Sequence, residues 1–554
     1  MMRLHGPELR SDGVLFSVWA PALSRPYLRV SSEHRALERA AHGWWKAFVP
    51  GAGPGDRYAF VLEGGRVLPD PASRRQPEGV HGASEVWDPR AYGWRHASPA
   101  LPRADLVFYE LHAGTFTPEG TLDAAAARLA SLVDLGVTCV ELMPVQPFPG
   151  TRNWGYDGVS PHAVHEGYGG PDALQRFVDR AHGLGLAVCL DVVYNHLGPE
   201  GNYLSAFGPY FTNRHHTPWG DAVNYDGDGS REVRAFVVQA ALAWVRDFRV
   251  DALRLDAVHA ILDDSPRHIV AELCDAVAEL ARAGGREVHV IAESDLQDRK
   301  VVDPPPRGWG SSAMWADDFH HGLHALLTGE RRGYYADFGD IDLLARALRE
   351  GFAFQGEPSV YRGRPWGTGT AGLTPSRFVF CAQNHDQVGN RPAGERLASL
   401  VPREALFPVA TLVLLGPALP LVFMGEEYGE RRPFLYFTSH GDPDLARAVS
   451  EGRKAEHVAA AGAEGVPDPQ AEETFRRSVL THSREGEHGA LWRHHQSMLR
   501  IRKRHARSMG SRWPDVAVEG RAIRLSWPSL EVAVNLGATP AAGLPGWGWR
   551  VREG

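Results

Sequence analysis

The sequence has almost no lysine. Lys46, Lys300, Lys454 and Lys503 are the full set, and arginine supplies the remaining positive charge. We read this as a genomic codon bias, since hyperthermophilic chains gain lysine and glutamate instead. No basic stripe offsets the formal net charge of -8, which excludes nucleic acid as an expected partner. No uninterrupted apolar run is long enough to span a bilayer, so no membrane association is expected. The opening residues, Met1-Met-Arg-Leu-His-Gly-Pro-Glu8, lack the apolar core of a secretory signal. Cysteine is scarce as well. Cys139, Cys189, Cys274 and Cys381 are widely spaced and form no Cys-x-x-Cys pair, so buried reduced thiols and a cytoplasmic location are expected.

What is present is an ordinary globular composition over 554 residues, enough for two or three domains. Residues 1–95 show short alternating strands broken by Gly and Pro, such as Leu15-Phe-Ser-Val-Trp-Ala-Pro21, Trp44-Trp-Lys-Ala-Phe-Val-Pro50 and Arg57-Tyr-Ala-Phe-Val-Leu62. That pattern predicts a small immunoglobulin-like β-sandwich, of the kind found in carbohydrate-binding modules. From about 104 the rhythm becomes strand, helix, strand. Apolar runs at 105–111, 136–142, 186–191, 250–255, 288–292, 377–382 and 419–424 alternate with amphipathic stretches at 121–134, 171–184, 231–248 and 266–283. A weak sixth strand near Ala313-Met-Trp-Ala-Asp-Asp318 brings the count to eight. The predicted class is α/β, with a (β/α)8 TIM barrel over 96–510 that includes inserted loops and a helical extension. An open doubly wound sheet is the other architecture, but no Gly-x-Gly-x-x-Gly turn follows the first strand. The segment 451–490 reads as an exposed connection containing a helix. Residues 511–554 return to short strands, Ala522-Ile-Arg-Leu-Ser-Trp527 and Val532-Ala-Val-Asn-Leu536, a small C-terminal β-domain.

Several of the apolar runs finish in acids and histidines. Val250-Asp-Ala-Leu-Arg-Leu-Asp256, Val288-His-Val-Ile-Ala-Glu293 and Phe378-Val-Phe-Cys-Ala-Gln-Asn-His-Asp386 each end in a carboxylate, and Ala187-Val-Cys-Leu-Asp-Val-Val-Tyr-Asn-His196 ends in polar residues. A barrel places its chemistry at these C-terminal strand ends. Residues two apart on a strand share a face, so Arg254 and Asp256 point into the same space. A guanidinium beside a carboxylate keeps it ionised and oriented, as a nucleophile requires. Glu293 follows Val-Ile-Ala, and partial burial favours it as a general acid. Two such carboxylates with a third nearby suit a retaining glycosidase. His196 and His385 would donate to the sugar, Tyr156 would stack on it and Asp157 would accept from its hydroxyls.

Taken singly, each of these features has a plainer reading. An Asp at a strand end is commonly a helix N-cap; four polar strand ends together, with Arg254 in register, favour chemistry. His320 and His324 are four apart, but without His-Glu-x-x-His or nearby cysteines they predict no metal site. His215-His216 reads as a surface loop pair and Asp226-Gly-Asp-Gly229 as a turn. No Asp-x-Asp-x-Asp-Gly calcium loop is present.

Residues 104 to about 440 resemble the α-amylase family of retaining glycoside hydrolases. The resemblance is carried by Asp191-Val-Val-Tyr-Asn-His196, Leu253-Arg-Leu-Asp-Ala-Val-His259, Ile291-Ala-Glu-Ser294 and Asn384-His-Asp386. It implies Asp256 as nucleophile, Glu293 as acid/base and Asp386 as third acid, with Arg254, His196, His385, Tyr156 and Asp157 around the reacting glucose. Longer stretches are similar to the maltooligosyltrehalose trehalohydrolase subgroup: Arg75-Gln-Pro-Glu-Gly-Val-His-Gly-Ala-Ser84, Pro199-Glu-Gly-Asn-Tyr-Leu204, Trp315-Ala-Asp-Asp-Phe-His-His321, Thr328-Gly-Glu-Arg-Arg-Gly-Tyr-Tyr335 and Pro433-Phe-Leu-Tyr-Phe437. Gln387, in Asn384-His-Asp-Gln-Val-Gly-Asn-Arg391, also fits; branching enzymes usually carry Glu there. The short C-terminal domain and the arginine-rich 494–507 depart from that pattern.

That resemblance implies cleavage of the α-1,4 bond beside a terminal trehalose unit, with maltooligosyltrehalose as substrate and its synthase as functional partner. It implies no required cofactor and no metal. His259, Gln387, Trp315 and Asp317 join the expected substrate-binding set, and Asp318 and Trp219 are further leaving-group candidates. A glycogen or α-glucan branching enzyme, a general α-amylase-type hydrolase and a non-catalytic glucan-binding protein are the alternatives.

Overall fold

The computed structural model describes residues 5–461 and 465–554. Residues 1–4 of the opening segment and 462–464 of the 451–490 connection lie outside the described residues.

Eight parallel strands close a barrel: β1 (Phe108–Leu111), β2 (Cys139–Leu142), β3 (Ala187–Val192), β4 (Ala252–Leu255), β5 (His289–Ala292), β6 (Ala313–Trp315), β7 (Phe378–Cys381) and β8 (Leu419–Phe423), with β8 pairing back to β1. Every residue in them is buried. Helices cover the outside, so both faces of each strand want apolar side chains, and the sequence shows runs instead of alternation. β6 has three residues, which is why its sequence signal is the faintest.

Helices α1 (Leu122–Leu135), α2 (Gly170–Gly183), α3 (Ser230–Asp247) and α4 (Ile269–Ala283) fall at the predicted stretches. Thr121 caps α1 by accepting from the Ala124 N–H at 3.2 Å. Gly136 ends it at φ +107°, where a Cβ would also meet the Leu499 Cβ at 2.9 Å. α4 starts three residues later than expected, because Asp263 accepts from the Ile269 N–H at 2.6 Å and holds the preceding turn outside the helix. Further along are α5 (Asp317–Thr328), α6 (His385–Gly389), α7 (Leu406–Leu414) and α8 (Gly486–Ser511). The 451–490 connection is more helical than expected. It carries the end of a helix over Pro443–Ala461, a short one over Glu472–Arg477 and the start of α8.

The period-two rule sorts the barrel interior into two layers. Phe108, Cys139, Cys189, Ala252, Ile291 and Ala313 belong to an apolar plug. Two residues further along β1 to β5 stand Glu110, Glu141, Asp191, Arg254 and Glu293, at or just past the C-terminal end, while Trp315 on β6 still belongs to the plug. The apolar floor thus excludes water from beneath a charged layer. All four cysteines are free and buried; three belong to this floor and Cys274 to α4.

Before the barrel, two antiparallel sheets face each other. One pairs Gly13–Trp19 with Trp44–Pro50, and the other pairs Tyr27–Val30 with Arg57–Val61. The turn-rich segment that follows docks on the barrel: Arg75 reaches Glu166 at 2.9 Å and Asp172 at 3.1 Å, and the Trp87 indole N–H donates to Asp172 at 2.8 Å. After the barrel, Asp515–Glu519, Ala522–Trp527, Leu530–Asn535 and Trp549–Glu553 form one antiparallel sheet.

The arginine-rich 494–507 lies on α8 and serves as a fastener. Arg507 pairs with Asp105 ahead of β1 at 3.0 Å, and Arg504 pairs with Glu553. Arg502 is buried and donates to the carbonyls of Leu414 and Gly416 at 3.0 Å each and of Ala418, closing the turn between α7 and β8. Replacing it with methionine keeps the bulk but leaves buried carbonyls unpaired, at about 1–3 kcal/mol each. Arg502→Met is therefore expected to lower the urea midpoint clearly. An unchanged midpoint would show that water reaches those carbonyls.

Candidate active site

Arg254 organises the charged layer. It is fully buried and sits on β4, between β3 and β5. Its Nη1 donates to Asp191 Oδ2 at 2.7 Å and to Asp256 Oδ1 at 2.9 Å, and its Nη2 stands 2.9 Å from Glu293 Oε2. The last contact is a close approach without the alignment of a hydrogen bond. Below it the Trp315 ring lies 4.3 Å from the guanidinium carbon, close enough for cation–π attraction. One planar fork thus holds two carboxyl groups side by side, each 2.9 Å from the same guanidinium.

The environments of the two acids differ. Burial raises the Asp256 carboxyl, but Arg254, His196 and the side-chain amide of Asn195 outweigh it and hold Asp256 below the usual carboxylate range. Asn195 donates to Asp256 Oδ2 at 2.7 Å and to its backbone carbonyl at 2.9 Å. Glu293 is pushed well above its ordinary value, first by burial and then by the charges of Asp256, Asp386 and Asp317, against the pull of Arg254. Ala257 sits in the left-handed region at φ +40°, a strained position for a residue with a Cβ. The strain turns its N–H toward Glu293 Oε2 at 2.7 Å. The surroundings thus favour the ionised form at Asp256 and the protonated form at Glu293.

The other predicted residues surround this pair. Asp386 lies at the start of α6 and accepts from the Asn390 amide at 2.7 Å. Tyr156 donates to Asp191 Oδ2 at 2.7 Å, and its oxygen stands 2.8 Å from His385 Nε2. The two rings are stacked at 5.1 Å. His196 faces the Tyr156 carbonyl through Nε2 at 3.0 Å, and Trp219, half exposed on the hairpin over 211–223, stacks on it at 4.5 Å. Asp157 accepts from the Asn153 amide at 2.6 Å. His259, Glu293, Asp317, Asp386 and Gln387 line one open cleft of about 1250 Å³.

Some placements change the picture. Trp315 is buried under Arg254 and is not part of that cleft wall. Asp318 is buried too and accepts from the Ala353 and Phe354 N–H groups at 2.6 and 3.2 Å. Gln387 accepts from the Asn384 N–H at 3.1 Å, completing a capping box for α6 while it borders the cleft. Asp317 faces the cleft, with its carboxyl pushed up to about 7 by burial and by the neighbouring Asp295 and Asp386.

Sequence reasoning missed Glu110, whose carboxylate meets His385, and Glu141 beside it. Both are buried and inward-facing at barrel strand ends, so the rule that found Asp256 would have found them. It also missed the outer cleft wall, Tyr334, Tyr361, Arg362 and Arg391. Arg391 is held by both oxygens of Glu330 at 2.9 Å, and Arg362 pairs with Asp295.

The predicted non-metal histidines are committed to hydrogen bonds. His320 meets the Ala382 carbonyl at 2.7 Å and Tyr335 at 2.9 Å, and His324 meets Glu330 at 2.9 Å. Among the described residues, His215, Asp226 and Asp264 are the one group with ligand atoms close enough to share a cation. There, Arg214 already stands 3.6 Å from Asp226, and His215 pairs with it at 2.8 Å. His215 is thus an anchor of the hairpin, while His216 is exposed.

The catalytic-domain model of the α-amylase family matches residues 77–217. The malto-oligosyltrehalose trehalohydrolase of Rhizobium sp. (strain M-11) is 44% identical over 543 residues, covering 95% of this chain and 91% of the relative. The protein of that name from Saccharolobus solfataricus is 45% identical over 500 residues, with 90% and 86% covered. Among solved structures, a Salmonella typhimurium protein described as a candidate alpha-amylase superposes with a TM-score of 0.93 at 41% identity, covering all of both chains. With identity of this level over nearly the whole length, and with the barrel and its charged layer in place, the chain belongs to the malto-oligosyltrehalose trehalohydrolases of the α-amylase family.

Proposed function

We propose that this glycoside hydrolase cleaves the α-1,4 bond adjacent to the terminal trehalose unit of maltooligosyltrehalose and releases free trehalose. The observation that carries the chemistry is Arg254, which holds Asp256 and Glu293 at 2.9 Å each from one buried guanidinium. In this reading Asp256 attacks the anomeric carbon of the glucose next to the trehalose unit, while Glu293 gives its proton to the departing trehalose oxygen. The glycosyl–Asp256 ester is then hydrolysed by water that Glu293, now ionised, deprotonates, so configuration is retained. Asp386 binds the hydroxyls of the reacting glucose and opposes the oxocarbenium-like charge.

Tyr156, His385, His196 and Asp157 shape the subsite for that glucose, and Asn195 keeps Asp256 turned toward it. The leaving trehalose would lie in the cleft bordered by His259, Asp317 and Gln387. Trp315 would act from below, through Arg254. The substrate implies an upstream maltooligosyltrehalose synthase, working consecutively and without a stable complex. No helix of the described residues is long and apolar enough to cross a membrane. Four free buried thiols suit a reducing compartment such as the cytoplasm.

The decisive assay compares maltopentaosyl-trehalose with plain maltoheptaose. Free trehalose from the first and slow attack on the second are expected. Equal cleavage of both would make this a general α-glucan hydrolase, and new α-1,6 branch points a transferase.

The pH profile follows from the two acids. The rate should rise as Asp256 loses its proton below the ordinary carboxylate range, and fall as Glu293 loses its own well above that range. Glu293→Gln is expected to lower kcat by roughly 10²–10⁴-fold and to abolish the alkaline limb of kcat/KM. Survival of the limb at the same midpoint in that variant would assign the acid to another group.

A further inference from the structure

The hydrogen bonds around His385 can be balanced proton by proton. Its Nδ1 meets Glu110 Oε1, and its own backbone N–H donates to Glu110 Oε2 at 3.0 Å, so both oxygens of Glu110 accept from one residue. Its Nε2 stands 2.8 Å from the Tyr156 oxygen. Tyr156 has one proton, and it goes to Asp191 Oδ2 at 2.7 Å, a carboxylate oxygen that Arg254 also approaches at 2.7 Å. The Nε2–Oη bond therefore needs its proton from the imidazole, and the Nδ1–Oε1 bond needs a second one.

We propose that Glu110, at the end of β1, is a positioning residue that holds His385 as a doubly protonated imidazolium. The cation then donates at Nε2 to Tyr156 and stands beside the catalytic carboxylates throughout the working pH range.

Groups facing His385 from each packed element agree with this. Glu110 on β1, Asp386 on its own helix, and Asp256 on the segment after β4 are acidic, and Asp191 on β3 is reached through Tyr156. Arg254 and His112 oppose the charge. Trp154 and Trp315 close the sides with ring centroids at 5.7 and 6.3 Å. Burial pulls the imidazole down, yet Glu110 more than compensates and the group ends above its ordinary value. His385 in turn is one of the charges that keep Asp256 ionised.

Loss of the Nε2 proton would have a definite consequence. The Tyr156 hydroxyl would turn to the bare Nε2, Asp191 would keep Arg254 alone, and Asp256 and Asp386 would lose a facing cation. The proposal deepens the glycosidase reading and rests on it for the kinetic arm alone; the spectroscopic arm needs no substrate.

The test uses the full chain labelled with ¹⁵N-histidine, with the His385 signals identified by their loss in His385→Gln. In the unsubstituted protein both ring nitrogens of His385 are expected to be protonated at pH 7. In Glu110→Gln, which keeps the shape but not the charge, the titration midpoint should fall by about 1–3 pH units. Glu110→Asp should restore part of that shift, and it serves as the second variant should the glutamine fail to fold.

The kinetic arm uses maltotriosyl fluoride, whose fluoride departs without a proton from Glu293. There the alkaline limb of kcat/KM should move down with the His385 midpoint in Glu110→Gln, and lowering the pH should restore the rate. A His385 nitrogen without a proton at pH 7 would overturn the proposal. So would a Glu110→Gln variant that loses activity equally at every pH. If the spectroscopic arm holds while no trehalose is released from maltopentaosyl-trehalose, the substrate reading fails and the role of Glu110 stands.

Discussion

A guanidinium cannot shed its proton in a protein, so a fully buried arginine has to be met by acceptors, whether carbonyls as at Arg502 or carboxylates. Arg254 meets carboxylates, and most of the site follows from it. It occupies the interior of a closed barrel above an apolar plug, out of reach of water. Asp191 and Asp256 supply the counter-charge, and Glu293 stands 2.9 Å from the same guanidinium. Removing Arg254 would leave these carboxyls without their shared counter-ion and push their pKa values up. In the proposed reading, the division of labour between nucleophile and acid follows from charge balance around one side chain, set by where each oxygen stands relative to the fork.

The fold serves this constraint. Eight short strands place their inward side chains in two layers, and only the upper one is polar. Parallel strands need covering helices, and these fix the C-terminal ends that bring Asn195 within 2.7 Å of Asp256. The strained Ala257 shows the surroundings overriding a local preference: the N–H it turns inward meets Glu293. Away from the site, α8 uses its arginines to fasten the closing strand and the final sheet.

Much of this was readable in the sequence because strand periodicity is local. Two residues along a strand means the same face, so Arg254 and Asp256 could be paired without a structure. Glu293 and Asp386 follow from the ends of their apolar runs. Glu110 obeys the same rule and was passed over, since it lies inside a run that reads as a plain core strand. Trp315 was legible as important and not as buried, because three residues of β6 give too little pattern to fix its direction. Gln387 looked like a ligand contact, and its side chain also completes a helix cap. The cleft wall was out of reach for a different reason. Tyr334, Tyr361, Arg362 and Arg391 come from separate loops, and what brings them together is non-local packing and pairs such as Glu330 with Arg391.

The central claim is that Arg254 prepares Asp256, and not another carboxylate, as the nucleophile. The most direct measurement is to trap the glycosyl-enzyme with 5-fluoro-maltosyl fluoride and map the modified peptide by mass spectrometry. The account predicts one adduct, on Asp256, that forms far more slowly in Arg254→Lys, where a point charge replaces the planar fork. An adduct on Glu293 or Asp386, or trapping at an unchanged rate in Arg254→Lys, would contradict it.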